Sequence, residues 1–81
     1  MTIDQILKKA MDSQTEGRLD EAEINYRKAI ELNPKNASTY YNLGVNLQIR
    51  GRSNEAEASY KKAIEINPNF TEAYNNLANL I

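Results

Sequence analysis

The sequence predicts an all-α protein, an α-solenoid in which antiparallel helix hairpins stack side by side. The first observation is a repeat: GRLDEAEINYRKAIELNP, starting at Gly17, returns 34 residues later as GRSNEAEASYKKAIEINP, starting at Gly51, with 12 of 18 positions identical. The second is that apolar residues in both segments recur at steps of three and four, the spacing of one helix face. The third is the glycine that begins and the proline that ends each segment. Units that repeat about every 20 to 50 residues typically stack side by side, and the period here falls in that range.

Five helices follow from this periodicity, near residues 3–15, 20–33, 37–50, 54–67 and 71–81. The second and fourth carry equivalent stripes, Ala22, Tyr26, Ala29 and Ile30 in one and Ala56, Tyr60, Ala63 and Ile64 in the other. The third and fifth carry another pair, Tyr40, Leu43, Gly44 and Leu47 in one and Tyr74, Leu77, Ala78 and Ile81 in the other. We expect the small residues to let helices approach closely and the tyrosine rings to fill the spaces between them.

Glycine and proline predict where the helices end. Gly17 and Gly51 are expected to adopt the left-handed conformation in which many helices terminate. Pro34 and Pro68 are expected to stop the second helix of each hairpin, because proline lacks an amide hydrogen and disfavours helical geometry in the residue before it.

Capping residues are predicted at the start of the second and fourth helices. Asp20 and Asn54 are each followed by Glu three residues later, which resembles a capping box.

The composition excludes several functions. Ten Lys and Arg against 11 Asp and Glu leave a net charge of −1, so no basic field is available to attract nucleic acid or an anionic membrane. The chain has no Cys and no His, which removes thiol nucleophiles, imidazole bases and common zinc ligands. We therefore expect no catalytic residue, no cofactor and no metal site, and no nucleic-acid or membrane partner.

A cytoplasmic location is expected. No apolar run reaches the roughly 20 residues that a membrane-spanning helix needs. Asp4, Lys8 and Lys9 interrupt the N-terminal segment, so it lacks the apolar core of a signal peptide.

At this level of detail the chain resembles the tetratricopeptide repeat (TPR), a 34-residue unit of two helices. The second unit carries the signature residues of that family: Tyr40, Leu43, Gly44, Leu47, Ala56, Tyr60, Ala63 and Pro68. The first unit departs from the pattern at Lys9 and Ser13, as expected for a terminal repeat with a more polar outer face. The resemblance implies one domain, 1–81, made of repeat one (3–36), repeat two (37–70) and the first helix of repeat three (71–81).

The resemblance also implies a function, because in this family the first helix of each unit lines a concave groove that commonly holds an extended peptide. Asn42 and Asn76 share one repeat position and are similar to the asparagine ladder of the TPR superhelix of O-linked N-acetylglucosamine transferase, whose amides grip a peptide backbone. The implied peptide-binding residues are Tyr41, Asn42, Val45, Asn75, Asn76 and Asn79, with Leu7, Lys8 and Met11 at the edge. The alternative is that these asparagines are simply solvated surface residues.

Two features argue against other interpretations of the polar residues. Relatives that bind chaperone C-terminal carboxylates use Lys and Arg at groove positions where this chain has Asp4, Leu7 and Lys8 in the first unit and Glu72, Asn75 and Asn76 in the third. Only Asn42 agrees with that clamp, which is essentially missing. The pairs Glu23 with Arg27 and Glu57 with Lys61 are four residues apart, which favours solvated outer faces.

The apolar stripe of the last helix leaves two further hypotheses open. Tyr74, Leu77, Leu80 and Ile81 need a cover, which predicts a following helix, a capping role for the last helix, or pairing of two copies. The chain is accordingly also considered as a self-associating scaffold, a possible homo-oligomer through its C-terminal helix, or as the recruiting N-terminal arm of a longer transferase-type enzyme.

Overall fold

The computed structural model describes residues 1–80 and contains five α-helices there: α1 (Ile3–Thr15), α2 (Leu19–Leu32), α3 (Ala37–Ile49), α4 (Ser53–Ile66) and α5 (Thr71–Leu80). The prediction of an all-α solenoid of helix hairpins is confirmed. Predicted helix ends differ from the observed ones by no more than one residue. Ile81, to which the last helix was extended, lies outside the described residues.

The helices alternate between two layers. α1 packs against α2 and α3 against α4 as hairpins, while α2 against α3 and α4 against α5 join one hairpin to the next. Hydrogen bonds link α1 to α3 and α3 to α5, and an ion pair links α2 to α4. The odd-numbered helices therefore form one layer and the even-numbered helices the other. The core between them consists of Ala10, Ala22, Tyr26, Leu43, Leu47, Ala56 and Tyr60.

Small residues permit this close packing, as predicted. The tightest point is Gly44 on α3, where an added Cβ would lie 2.6 Å from Cε1 and 2.8 Å from Cδ1 of Tyr60. Ala56 and Ala63 of α4 are fully buried beside it. The ring of Tyr60 thus occupies the space that any side chain at position 44 would need.

The predicted helix terminators are confirmed. Gly17 and Gly51 have φ angles of +82° and +76°, in the left-handed region. α2 and α4 end one residue before Asn33 and Asn67, whose extended backbone leads directly into the prolines.

The capping boxes predicted at Asp20 and Asn54 are wrong. Both helices begin one residue earlier, so that Arg18 and Arg52 are the N-cap residues and neither makes a side-chain capping bond. Each arginine instead pairs with the Glu three residues on, and the Arg18 Nε to Glu21 Oε2 distance is 2.9 Å.

Side-chain caps occur at two other helices. Thr2 and Gln5 form a capping box at α1. Asn36 caps α3 by accepting hydrogen bonds from the amides of Ser38 and Thr39.

Two expectations about burial also need correction. Tyr74 does not fill an interhelical space, because its ring is on α5, beyond which the described chain has no further helix, and it is 47% exposed. Ser13, assigned to a polar outer face, is 1% exposed and its hydroxyl has no hydrogen-bond partner. It occupies the core position that Leu47 fills in the second unit.

Among residues 1–80, no helix has the length and apolarity to cross a membrane.

Candidate functional site

A concavity between α1 and α3 gathers four of the residues predicted from the sequence. Met11, Tyr41, Asn42 and Val45 line it together with Gln14, Thr15 and Tyr26, and its volume is about 280 Å³. Tyr41 and Val45 are half-buried and pack against the core, whereas Met11 is 53% exposed at the rim. None of the seven lining residues is charged, so the concavity suits a neutral polar or apolar group.

The other predicted groove residues do not line this concavity. Leu7 is half-buried and packs against the core. Lys8 is exposed, and its Nζ lies 2.9 Å from Oδ2 of Asp12 on the same helix. Asn75 and Asn79 are exposed on α5. Whether any of them contacts a peptide stays a prediction.

Asn76, the second member of the predicted asparagine pair, is already engaged within the chain. Its Nδ2 donates to the hydroxyl of Tyr41 at 3.2 Å and to that of Tyr60 at 3.4 Å. The Tyr41 ring also packs at a tilt against two neighbouring rings, with centroids 5.1 Å from Phe70 and 5.9 Å from Tyr60. This aromatic cluster joins α3, α4 and α5.

Tyr26 and Tyr60 are equivalent residues with different hydrogen bonding. Both are nearly fully buried, and burial raises the pKa of both hydroxyls. The Tyr60 hydroxyl donates to Oε1 of Gln48 at 2.6 Å and accepts from Asn76. Within residues 1–80 the Tyr26 hydroxyl makes no hydrogen bond, because the corresponding glutamine, Gln14, accepts from Asn46 instead, at 2.9 Å.

Tyr26 and Gln14 also line the concavity, although neither is predicted there from the sequence. Tyr26 was assigned to the core because it matches the family's buried aromatic position, and it is indeed 2% exposed. The residue that could have indicated the role of Gln14 is Asn46, a polar residue within the apolar stripe of α3. Asn46 is fully buried, and its Nδ2 donates to Oε1 of Gln14 and to the backbone oxygen of Leu19.

A charge cluster lies where α2 meets the start of α4. The carboxylate of Glu23 contacts Arg27 at 2.9 Å, Arg52 at 2.6 Å and Arg50, and its side chain is 14% exposed. Burial alone raises the pKa of Glu23, but the hydrogen bonds from Arg27 and Arg52 outweigh it and lower the pKa overall. The predicted pair with Arg27 is confirmed, whereas the assignment of Glu23 to a solvated outer face is wrong. Glu57, its equivalent, pairs with Lys61 at 2.7 Å and is 38% exposed.

Two further depressions lie outside the predicted groove. One, of about 360 Å³, opens between α2 and α4 over a floor that includes Tyr40 and Leu43. The other, of about 480 Å³, surrounds the turn after Gly17. In the described part of the chain no three His, Cys, Asp or Glu side chains group as a metal site would require.

Comparisons with known proteins agree with this architecture. A tetratricopeptide repeat model matches residues 37–70, and a TPR repeat model matches residues 15–49. No curated protein sequence matches the chain.

Solved structures superimpose on nearly all of the chain. The TPR2B-domain:pHsp70 complex of yeast Sti1 matches with a TM-score of 0.92 and 28% identity, over 96% of this chain and 62% of that one. The crystal structure of MamA matches with a TM-score of 0.95 and 25% identity, over 98% and 46%. The Arabidopsis OM64 TPR domain matches with a TM-score of 0.92 and 23% identity, over 96% and 64%, which supports the fold alone. The chain thus spans less than two thirds of each of these structures. The 34-residue repeat, the two-layer packing of the hairpins and both family models place this chain in the tetratricopeptide repeat family.

Proposed function

We propose that this chain is a non-catalytic interaction module that binds a segment of another polypeptide on the surface formed by α1 and α3. The observation that carries the proposal is the uncharged concavity, where Met11, Tyr41 and Val45 provide apolar contact and Asn42 provides an amide. A side-chain amide both donates and accepts, so it pairs with a peptide group whatever the peptide sequence.

The nature of the family supports this proposal, since TPR repeats generally serve as protein-interaction modules, and the similar domain of yeast Sti1 was solved as a complex with pHsp70. The partner itself does not follow from that similarity. Among residues 1–80 the inner surface has no cluster of Lys and Arg, and the exposed Lys8 pairs with Asp12 on the same helix. We therefore propose recognition of neutral backbone groups and apolar side chains in preference to a carboxylate terminus.

A steric block of the concavity tests the proposal. Peptides would be selected on the chain from a random phage-displayed library and their affinities measured by titration calorimetry. Met11→Arg places a long cation at the rim of the concavity and should weaken binding by about tenfold or more. Ala58→Arg is the matched control, because Ala58 is exposed on α4 in the other layer. Equal effects of the two variants, or failure to select any peptide, would contradict the proposal.

Self-association is a second candidate, favoured by the uncovered face of α5. Ala73 is the one fully buried residue of that helix, Tyr74 is 47% exposed, and Leu77 and Leu80 are half-buried. Ile81, the fourth residue of the predicted face, lies outside the described residues. Sedimentation equilibrium over a range of protein concentrations tests this candidate: self-association should rise with concentration and be reduced by Tyr74→Ser, whereas a strict monomer throughout would eliminate it.

A further inference from the structure

Asn46 is a polar residue at a position where the fold favours an apolar one. Its side chain is fully buried, and its repeat equivalent in α5 is Leu80. Its Nδ2 donates to Oε1 of Gln14 at 2.9 Å and to the backbone oxygen of Leu19 at 3.0 Å. Because a carbonyl oxygen can only accept, the bond to Leu19 fixes which way the amide points. Within residues 1–80 the buried Oδ1 of Asn46 consequently has no donor.

This unsatisfied acceptor indicates that Asn46 has a role other than packing. A buried acceptor without a donor lowers stability, and an apolar side chain of the same shape would avoid that loss. Proteins keep such local conflicts mainly at functional sites. The bond from Asn46 ends on Gln14, a residue that lines the concavity between α1 and α3. Asn46 therefore contacts the wall of the concavity from its buried side.

The second unit shows where the Gln14 side chain would go without Asn46. Gln48, the repeat equivalent of Gln14, accepts from the hydroxyl of Tyr60 at 2.6 Å, across 12 residues of sequence. Gln14 and Tyr26 have the same separation and lie on the equivalent helices. Both also line the concavity, so a bond between them would cross it and reduce the space for a ligand.

We propose that Asn46 is a positioning residue of the binding surface, which keeps the concavity open by holding Gln14 away from Tyr26. Asn46 itself is fully buried and does not touch the ligand. Once released, Gln14 accepts from the Tyr26 hydroxyl, and a ligand must break that bond before it can enter. This inference rests on the proposed function and names the residue that maintains the site.

Asn46→Leu tests the proposal, because leucine has the branched shape of asparagine but no amide with which to hold Gln14. The phage-selected peptides should bind this variant roughly two- to tenfold more weakly than the parent, the effect of one hydrogen bond that must break on binding. Circular dichroism checks that the variant folds. If it does not fold, Asn46→Ala releases Gln14 without adding bulk and takes its place in every comparison.

The Tyr26→Phe background is the matched control, because it lacks the hydroxyl that would capture Gln14. In that background, adding Asn46→Leu should change the affinity by less than about twofold. Equal weakening in both backgrounds would mean that Asn46 only supports the fold, and it would overturn the proposal. Unchanged affinity of Asn46→Leu in the parent background would also overturn it. In both cases the proposed function stands.

Nuclear magnetic resonance on the free chain follows Gln14 without any peptide. In Asn46→Leu, nuclear Overhauser contacts between the Gln14 side-chain amide and the Tyr26 ring should become stronger than in the parent. If they do not, the proposal is refuted and the proposed function is unaffected. If no peptide binds the parent chain, the proposed function is refuted and the proposal fails with it.

Discussion

At the scale of single residues, the contrast between Tyr26 and Tyr60 predicts different changes in stability for the same substitution to Phe. Tyr60→Phe removes the donor to Gln48 and an acceptor for Asn76. Each lost bond costs about 0.5 to 1.5 kcal/mol, so the free energy of unfolding should fall by about 1 to 2 kcal/mol. Tyr26→Phe removes an unpartnered hydroxyl and should leave stability within about 0.5 kcal/mol of the parent or raise it. Urea unfolding followed by circular dichroism measures both. Equal losses would mean that the Tyr26 hydroxyl has a partner.

Gly44 provides a test of packing at a single atom. Gly44→Ala places a Cβ 2.6 Å from the Tyr60 ring, which is fully buried and has no free space to enter. Overpacking costs about 1 to 3 kcal/mol, and the better helix propensity of alanine returns up to about 1 kcal/mol. We expect a net loss of about 1 to 2 kcal/mol, measured by urea unfolding. A gain in stability would show that α3 and α4 move apart at little cost.

The repeat pattern predicts the role of a residue where that role depends on its own position alone. It does not predict a role that depends on a contact between two side chains. Asn42 and Asn76 were expected to be alike because they share a repeat position. They differ because Asn76 donates to the hydroxyl of Tyr41, whereas the position equivalent to Tyr41 one unit earlier is occupied by Leu7, which has no hydroxyl. Such a pairing depends on which helix lies opposite, and that information is not in the local pattern.

At the scale of helices, position was predictable and capping was not. The 34-residue spacing, the left-handed glycines and the prolines determine each helix to within one residue. α2 and α4 start earlier than predicted, and at each start an arginine, Arg18 or Arg52, forms an ion pair with the Glu three residues later. The carboxylates that the predicted capping boxes would have used, those of Glu23 and Glu57, pair instead with Arg27 and Lys61. Asp20 remains in the first turn, where its charge favours the helix dipole.

The Glu23 cluster joins α2 to the turn between α3 and α4, where Arg50 and Arg52 lie. Because Glu23 is largely buried and contacts three arginines, Glu23→Gln should lower the free energy of unfolding near neutral pH by about 1 to 2 kcal/mol. Glu57→Gln is the control, since Glu57 is more exposed and pairs with Lys61 alone, and its loss should stay below about 0.5 kcal/mol. Equal losses of unfolding free energy in the two variants would show that the Glu23 cluster stabilises the fold no more than an ordinary surface ion pair does.

The same cluster predicts a pH dependence. The arginines lower the pKa of Glu23 below its ordinary value of 4.5, so its folded-state pKa is depressed relative to the unfolded chain. The resulting stabilisation is present above the unfolded pKa and is lost as the pH falls through the folded one. The stability difference between the parent and Glu23→Gln should therefore be constant near neutral pH and shrink at acidic pH below that value. Urea titrations at several pH values measure this difference. If the difference grew as the pH fell, the pKa of Glu23 would have to be raised in the folded state and not lowered.

At the scale of the whole molecule, stability is expected to be uneven along the stack. In a repeat protein each unit contacts only its neighbours, so end helices depend on fewer interfaces than central ones. α3 packs against both α2 and α4, whereas α5 packs mainly against α4 and has a single fully buried residue. The Asn76 hydrogen bonds to Tyr41 and Tyr60 provide additional contacts that hold α5 in place.

Amide hydrogen exchange followed by nuclear magnetic resonance tests this gradient. Amides of α5 should exchange through local opening at a lower free energy than those of α3 and α4, because opening α5 exposes little of the core. Asn76→Ala removes its bonds to Tyr41 and Tyr60 and should speed exchange in α5 by roughly five- to tenfold while leaving α1 and α2 unchanged. Asn75→Ala, an exposed neighbour on the same helix, is the control and should have little effect. Uniform protection of all five helices, or acceleration of the entire chain by Asn76→Ala, would mean that the stack opens as one cooperative unit and that Asn76 is no local clamp on α5.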